Sequence, residues 1–326
     1  MIGPWIRRFL LEYLVTDRNL ARNTQASYRD TLVLLLPFLS EELEKPVDQL
    51  TIDDLSPAVV RSFLAYVENE RSCSGATRNL RLATIHSLAK FIGMRNPEQV
   101  VWYTEIRAIP FKKTAKSTLT YLDKPEIDAL LQIPDLRLPL GRRDYTLLLF
   151  LYNTGARADE AAHLTVADLT WGRSPAVRLV GKGSKTRWCP LWGHTASALK
   201  SLIDEDGSEN FVFLNRLNQP LTRFGIYNLV QRTARQASQI VPSLAKKRVG
   251  PHSLRHTCAV HLLRSGVDIN TIRAWLGHVS LDTTHIYAEV DLEMKAKALA
   301  QCDLPTQAKS PPWHSDPDLI AFLKAL

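Results

Sequence analysis

Cysteine is scarce in this chain and forms no pattern. The four present, Cys73, Cys189, Cys258 and Cys302, include no C-x-x-C pair and no spacing that suits a zinc site or a disulfide framework. Reduced thiols in a cytosolic protein are the expectation. Long apolar runs are missing too. The strongest, Leu147 to Leu151, is too short to span a bilayer. The first residues, Met1 to Tyr13, carry Arg7, Arg8 and Glu12 inside their apolar pattern, which does not suit a secretory leader. There is no internal repeat and no low-complexity tract. A soluble cytoplasmic protein with no membrane partner is expected.

What is present is an ordinary core-forming composition with a basic balance. Of 326 residues, 45% are hydrophobic and 23% charged, enough apolar material to fold without staples. The 41 Lys and Arg against 33 Asp and Glu give a net charge of +8. That excess permits nucleic acid as a partner and would raise the encounter rate on a phosphate backbone, but many basic proteins bind no DNA.

The first 96 or so residues read as four helices with short loops. Trp5, Ile6, Phe9, Leu10 and Tyr13 recur at helical spacing. A second helix begins near Asn23-Thr24 and carries Tyr28, Leu32, Leu35, Leu36 and Leu39. Ser56-Pro57 is an N-cap followed by Pro at the first helical position. A fourth helix runs from Ser74–Thr77 to Ile92 and stops at Gly93. Pro97 and Pro110 then interrupt the pattern. Residues 97–118 hold Arg107, Lys112, Lys113 and Lys116 against Glu98 and Glu105, a solvated linker or a basic strap on a phosphate backbone.

A larger domain follows. Asp123 to Glu126 reads as a helix start, and the apolar helix ending near Tyr152 as a buried one. Leu164 to Trp171, Ala176 to Val180 and Arg187 to Leu191 read as strands, the last two joined by a turn at Gly181 to Lys185. From Thr195 to about Ala300 the chain reads as helical again. Residues 302–312 are polar and Pro-rich. Ser315 to Leu326 opens with a capping box, Ser315 and Asp318, and has an apolar face. The expected fold is mainly α with a small antiparallel sheet. Its divisions are a helical N-terminal domain over 1–108, a basic linker over 109–118, an α+β domain over 119–300 and a tail with a short helix over 301–326.

Four short segments carry candidate chemistry. They are Thr154-Gly-Ala-Arg157-Ala-Asp-Glu160, the hairpin tip with Lys182, Pro251-His252-Ser-Leu-Arg255-His256, and Leu276-Gly277-His278 with Tyr287 nine residues further on. Singly, each has a plain structural reading. Arg157 suits a surface ion pair, Lys182 and Lys185 suit a solvated turn, and Tyr287 suits a core. His252 and His256 lie four apart, but no Glu completes a metalloprotease helix and no third ligand presents itself, so no metal is expected.

Together the four segments resemble the motifs of the tyrosine recombinase, or phage integrase, family, which includes Xer-like proteins. Arg157 and Glu160 fall in T-G-x-R-x-x-E, His252 and Arg255 in H-x-L-R-H, His278 in L-G-H and Tyr287 in T-x-x-Y. Lys182 stands between two strands, where the family has its hairpin lysine. The N-terminal helices resemble the family's core-binding domain, a SAM-like fold.

The resemblance implies a chemistry that suits the residue types. A phosphodiester is anionic and a tyrosine is a weak nucleophile, its free pKa being about 10. Arg157 and Arg255 would offset the phosphate charge, with His278 as a further donor. His252 would assist proton removal from Tyr287 or bond the phosphate. Lys182 would protonate the departing 5′-oxygen, with Lys185 as the alternative, and Glu160 would support the site. No cofactor is implied, because a 3′-phosphotyrosine stores the bond energy. The implied partners are double-stranded DNA with inverted-repeat core sites and a homotetramer on two such sites, or related recombinase subunits, exchanging strands through a Holliday junction. The implied place is the cytoplasm, at the nucleoid. Lys112, Lys113, Lys185, Arg223, Arg232 and Arg235 are candidate DNA contacts. The C-terminal segment would dock on a neighbouring subunit or fold back on its own; the Pro-rich tail favours a mobile-element enzyme. A type IB topoisomerase-like nicking-closing enzyme and a DNA-binding accessory protein without turnover stand beside this reading.

Overall fold

The computed structural model describes residues 1–114, 119–181, 183, 185–206 and 210–277. Two compact units divide the chain, Met1–Ser117 and Thr118–Leu326. Each is built mainly of helices, and the second adds a three-stranded antiparallel sheet.

In the first unit, α1 (Gly3–Arg8) continues as a π-helical stretch to Asp17 and is followed by α2 (Arg22–Glu42), α3 (Pro57–Asn69) and α4 (Gly75–Gly93). Local rules set the starts. Ser56 Oγ accepts from the Val59 amide at 3.4 Å and Ser74 Oγ from the Thr77 amide at 3.3 Å, so serine caps open both helices. The core gathers Phe9, Leu35, Leu39, Phe63, Leu88 and Phe91. Residues 97–109 depart from the linker reading. They form a further helix, α5 (Val100–Arg107), with Trp102, Ile106 and Ile109 buried in that same core. The Trp102 indole donates to the Leu55 carbonyl at 2.8 Å, which satisfies its one polar atom. Pro97 does not break this segment because it stands at the first position of a short turn, where no amide is needed.

In the second unit, α6 (Lys124–Gln132) opens with the Glu126 carboxylate accepting from the Asp123 amide at 2.8 Å. Helix α7 (Pro139–Thr154) buries Leu147 to Leu151 and packs on the later helices Gly193–Asp206 and Pro251–Arg264. Gly155 closes it in the left-handed conformation, φ 60°. Short α8 (Ala158–Ala162) follows at once. The strand expected over Leu164 to Trp171 is mostly a tight turn at Val166–Asp168. Only β1 (Leu169–Thr170) joins the sheet, because Asp168 caps Thr165 instead of extending. The hairpin is as expected, β2 (Ala176–Val180) against β3 (Thr186–Pro190), with Val180 opposite Thr186.

Helix α9 (Gly193–Asp206) is followed by an irregular segment over 210–222, held by the bridges Thr165–Phe211 and Leu214–Pro220, not by continuous helix. Then come α10 (Arg223–Ala237), α11 (Pro251–Arg264) and α12 (Ile269–Leu276). Thr222 caps α10 and Asp268 caps α12. No described helix is long and apolar enough to cross a membrane. The C-terminal helix expected over 315–326 lies outside the described residues.

Candidate active site

The left-handed turn at Gly155 redirects the chain after the buried α7. Arg157 therefore stands in extended conformation at the N-terminus of α8, its side chain about a third exposed. Glu160 comes one turn later and accepts from the Arg157 amide at 2.9 Å and from Arg157 Nη1 at 2.8 Å. A glutamate at this position caps the helix and holds the arginine together.

Arg255 approaches from α11. It is 2% exposed, and its guanidinium donates from Nη1 to the Gly155 carbonyl and from Nη2 to the Leu276 carbonyl, both at 2.7 Å. A buried cation is costly unless hydrogen-bonded, and these carbonyls supply that compensation. The contacts bind three sequence motifs to one another: the turn before Arg157, the helix of Arg255, and the end of α12.

His252 lies one turn before Arg255 on the same helix. Its ring is accessible yet hemmed in by protein. That partial burial, then the charges of Arg255 and Arg157, hold its pKa below the ordinary histidine value. Near neutral pH it is an uncharged imidazole able to accept a proton. His256 packs ring to ring with it, centroids 5.4 Å apart, and burial pushes its pKa down to about 4. Among the described residues no group of three or more His, Cys, Asp or Glu converges as a metal site.

The hairpin reaches this wall. A Cβ built on Gly181 would lie 3.2 Å from Glu160 Oε1 and 3.7 Å from Arg157 Nη1. Residue 181 thus backs onto the Arg157–Glu160 pair. Gly277, φ 67°, ends α12 against the Arg187 side chain, which itself bonds Glu160. The positions just before Lys182 and just before His278 are in this way both anchored at one wall. Lys182, His278 and Tyr287 themselves lie outside the described residues.

Arg187 was not singled out from the sequence. It grips Glu160 with two hydrogen bonds, at 3.0 and 2.7 Å, and is nearly buried. Its signal was a charged residue in the same register of β3 as buried Cys189. Burial of Glu160 would raise its pKa, but the hydrogen bonds and charge of Arg187, with those of Arg157, bring it below the usual carboxylate range.

Beside His252 opens a mainly apolar cavity of about 510 Å³, lined by Ala158, Arg223, Phe224, Tyr227 and Arg248 among others. Arg223 lies over the Phe224 ring at 4.7 Å. Arg235, Lys185 and Lys113 are exposed. Arg232 is paired with buried Asp144 at 3.0 Å, and Lys112 with Glu68 at 2.9 Å. Phe224, Tyr227 and Arg248 were not anticipated; no local pattern marks them.

Comparison with known families decides what this constellation belongs to. Residues 120–294 match the model of the phage integrase family, and residues 6–96 that of the phage integrase N-terminal SAM-like domain. The chain belongs to the phage integrase, or tyrosine recombinase, family. Among its family relatives is a putative integrase/recombinase, y4rC, of Sinorhizobium fredii, 36% identical over 100% of this chain and 98% of that protein. A tyrosine recombinase XerC of Oceanobacillus iheyensis is 31% identical over 86% of this chain and 90% of its own length. In fold, XerH, a site-specific recombinase solved in a post-cleavage complex with a palindromic difH substrate, superposes with a TM-score of 0.68 at 22% identity. The match covers 87% of this chain and 81% of that one.

Proposed function

We propose that this chain is a site-specific DNA recombinase that cuts and rejoins strands through a covalent bond between Tyr287 and a 3′-phosphate. The observation that supports it most is the meeting of Arg157, Arg255 and His252 on one wall, although they come from separate stretches of the chain.

The chemistry follows from those groups. The Tyr287 oxygen attacks phosphorus while the 5′-oxygen leaves, so one P–O bond forms as one breaks. Arg157 and Arg255 offset the charge on the non-bridging oxygens, and guanidinium forks suit them because they stay charged and match oxygen pairs. His278 adds a donor. His252, held neutral, takes the phenol proton or bonds the phosphate. Lys182 gives a proton to the leaving oxygen, and Gly181 against Glu160 supports its entry from that side. Lys185 is the alternative donor. A 5′-hydroxyl of a partner strand then reverses the step, which explains why no external energy source is required.

Double-stranded DNA with inverted-repeat core sites is the partner in this reading, and XerH was solved on such a palindromic site. Four subunits on two sites exchange one strand pair at a time through a Holliday junction. The C-terminal segment is the candidate for contact between subunits, and related recombinase subunits fit the same scheme. Residues 1–109 and 119–300 grip the duplex, with 110–118 as a basic linker between them. Arg223, Arg235, Lys113 and Lys185 are the exposed candidates for phosphate contacts; Arg232 and Lys112 already serve a carboxylate and contribute less. The setting is the cytoplasm, at the nucleoid, in the movement of DNA elements.

The test uses a site selected from random duplexes by binding to the Tyr287→Phe variant. Two linear duplexes carrying that site are incubated with the wild-type chain. Recombinant products and four-way junctions are expected. Relaxation of any supercoiled plasmid without exchange would favour a nicking-closing enzyme, and binding without cleavage an accessory protein.

A further inference from the structure

Arg187 has no part in the mechanism above, yet from the hairpin it touches two of its other segments. From β3 its two terminal nitrogens hold both oxygens of Glu160. Its Nε donates to the Trp275 carbonyl at 2.8 Å. Its Cδ lies 3.0 Å from where a Cβ on Gly277 would stand, so only glycine fits there without displacement. The next carbonyl along α12, that of Leu276, is held by Arg255. Two arginines from different elements thus fix consecutive carbonyls where the chain runs on to position 278.

The charges of the cluster matter as much as its geometry. Arg157 and Glu160 alone sum to zero, and a phosphate gains little from such a pair. Arg187 adds a second positive charge and occupies both carboxylate oxygens, while its own side chain is only 9% exposed against 35% for Arg157. The outward-facing charge is therefore that of Arg157. A buried carboxylate left with one partner would draw Arg157 toward itself and away from an incoming anion.

We propose that Arg187 is a positioning residue for strand cleavage. It neutralises Glu160 so that Arg157 meets the phosphate with its charge uncancelled, and it fixes the end of α12 from which the chain continues to position 278. This rests on the recombinase reading.

The experiment measures single-turnover covalent trapping on a saturating nicked duplex carrying the selected site, with DNA affinity and thermal midpoint in parallel. Wild type is compared with Arg187→Met, Arg187→Lys and the double variant Arg187→Met with Glu160→Gln. Loss of a preorganised charge should slow Arg187→Met at least about tenfold, with DNA affinity changed less than about threefold. Lysine keeps the charge but not the fork and should fall between. The double variant should recover much of the rate, because it removes the carboxylate left bare. A purely structural role would not give that recovery. Trapping by Arg187→Met at the wild-type rate, or a slow single variant that Glu160→Gln does not lift, overturns the proposal. Where Arg187→Met does not fold, Arg187→Lys decides: a folded protein slowed at least about fivefold supports it, and an unchanged rate overturns it. A wild-type chain that forms no covalent complex overturns the recombinase reading and this proposal with it.

Discussion

Arg255 donates to the carbonyl oxygen of Gly155 at 2.7 Å across 100 residues of sequence. The bond ties the helix of one motif to the turn that presents the other, and its partner bond to Leu276 extends the tie to α12. Both guanidinium arms are used in this way, so a single ammonium cannot replace them. Arg255→Lys should lower stability by about 1–3 kcal/mol for each buried carbonyl left unpaired, and cleavage by about 100-fold or more. Thermal melts and single-turnover trapping measure the two effects. A lysine variant with normal stability and rate would contradict the dual role.

Gly155 has a second reason to be glycine. Its φ is 60°, and a Cβ there would stand 2.5 Å from Leu276 Cδ2 and 3.5 Å from Cys258 Sγ. Gly155→Ala should cost about 1–2 kcal/mol in left-handed strain and about 1–3 kcal/mol in overpacking. Urea denaturation checks it, and a change below half a kilocalorie would show that the turn relaxes freely.

How the chain responds to acid follows from its histidines. His256, whose pKa burial pushes down to about 4, stays neutral in the folded state well below the ordinary value of 6.5. Between those two values the unfolded chain binds the proton and the folded chain does not, so stability falls as pH falls. His252 is lowered in the same direction, by burial and then by Arg255 and Arg157. Unfolding free energies at pH 7 and pH 5 should differ by about 2 kcal/mol, pH 5 being less stable. In His256→Asn that difference should shrink; an unchanged difference would place its source elsewhere.

Salt dependence separates the arginines of α10. Arg223 is exposed beside the cavity, whereas Arg232 is paired with Asp144. Arg223→Ala should reduce the slope of log affinity against log salt by about 1, the loss of one phosphate contact. Arg232→Ala should leave the slope closer to wild type and instead lower stability by about 1 kcal/mol, since buried Asp144 loses a partner. Fluorescence anisotropy across a salt series distinguishes them, and equal slopes for all three proteins would remove Arg223 from the interface.

Local rules made much of this legible in advance. Ser56, Asp123 with Glu126, the Gly181 to Lys185 turn and Gly277 all act within a few residues of themselves, and each sits where its chemistry requires. Tertiary packing decided the rest. Trp102, Ile106 and Ile109 turn a Pro-flanked stretch into a helix because a core is there to receive them. Asp168 turns an apolar run into a tight turn by capping Thr165. The motif residues Arg157, Glu160, His252 and Arg255 were visible as types in order. That Glu160 has a second arginine, and that Arg255 is buried on two carbonyls, depends on elements distant in sequence. The contacts of Arg187 are of the same kind, since an arginine in a strand declares no partner.

The covalent step itself can be observed directly. Wild type and Tyr287→Phe are incubated with the selected duplex nicked beside the cleavage position, so that the short strand diffuses away and traps the intermediate. The product is digested and its nucleotide-bearing peptide sequenced by mass spectrometry. A DNA adduct on Tyr287 is expected in wild type, with none in the phenylalanine variant. An adduct on any other residue, or equal trapping by both proteins, would contradict the assignment of Tyr287 as the nucleophile.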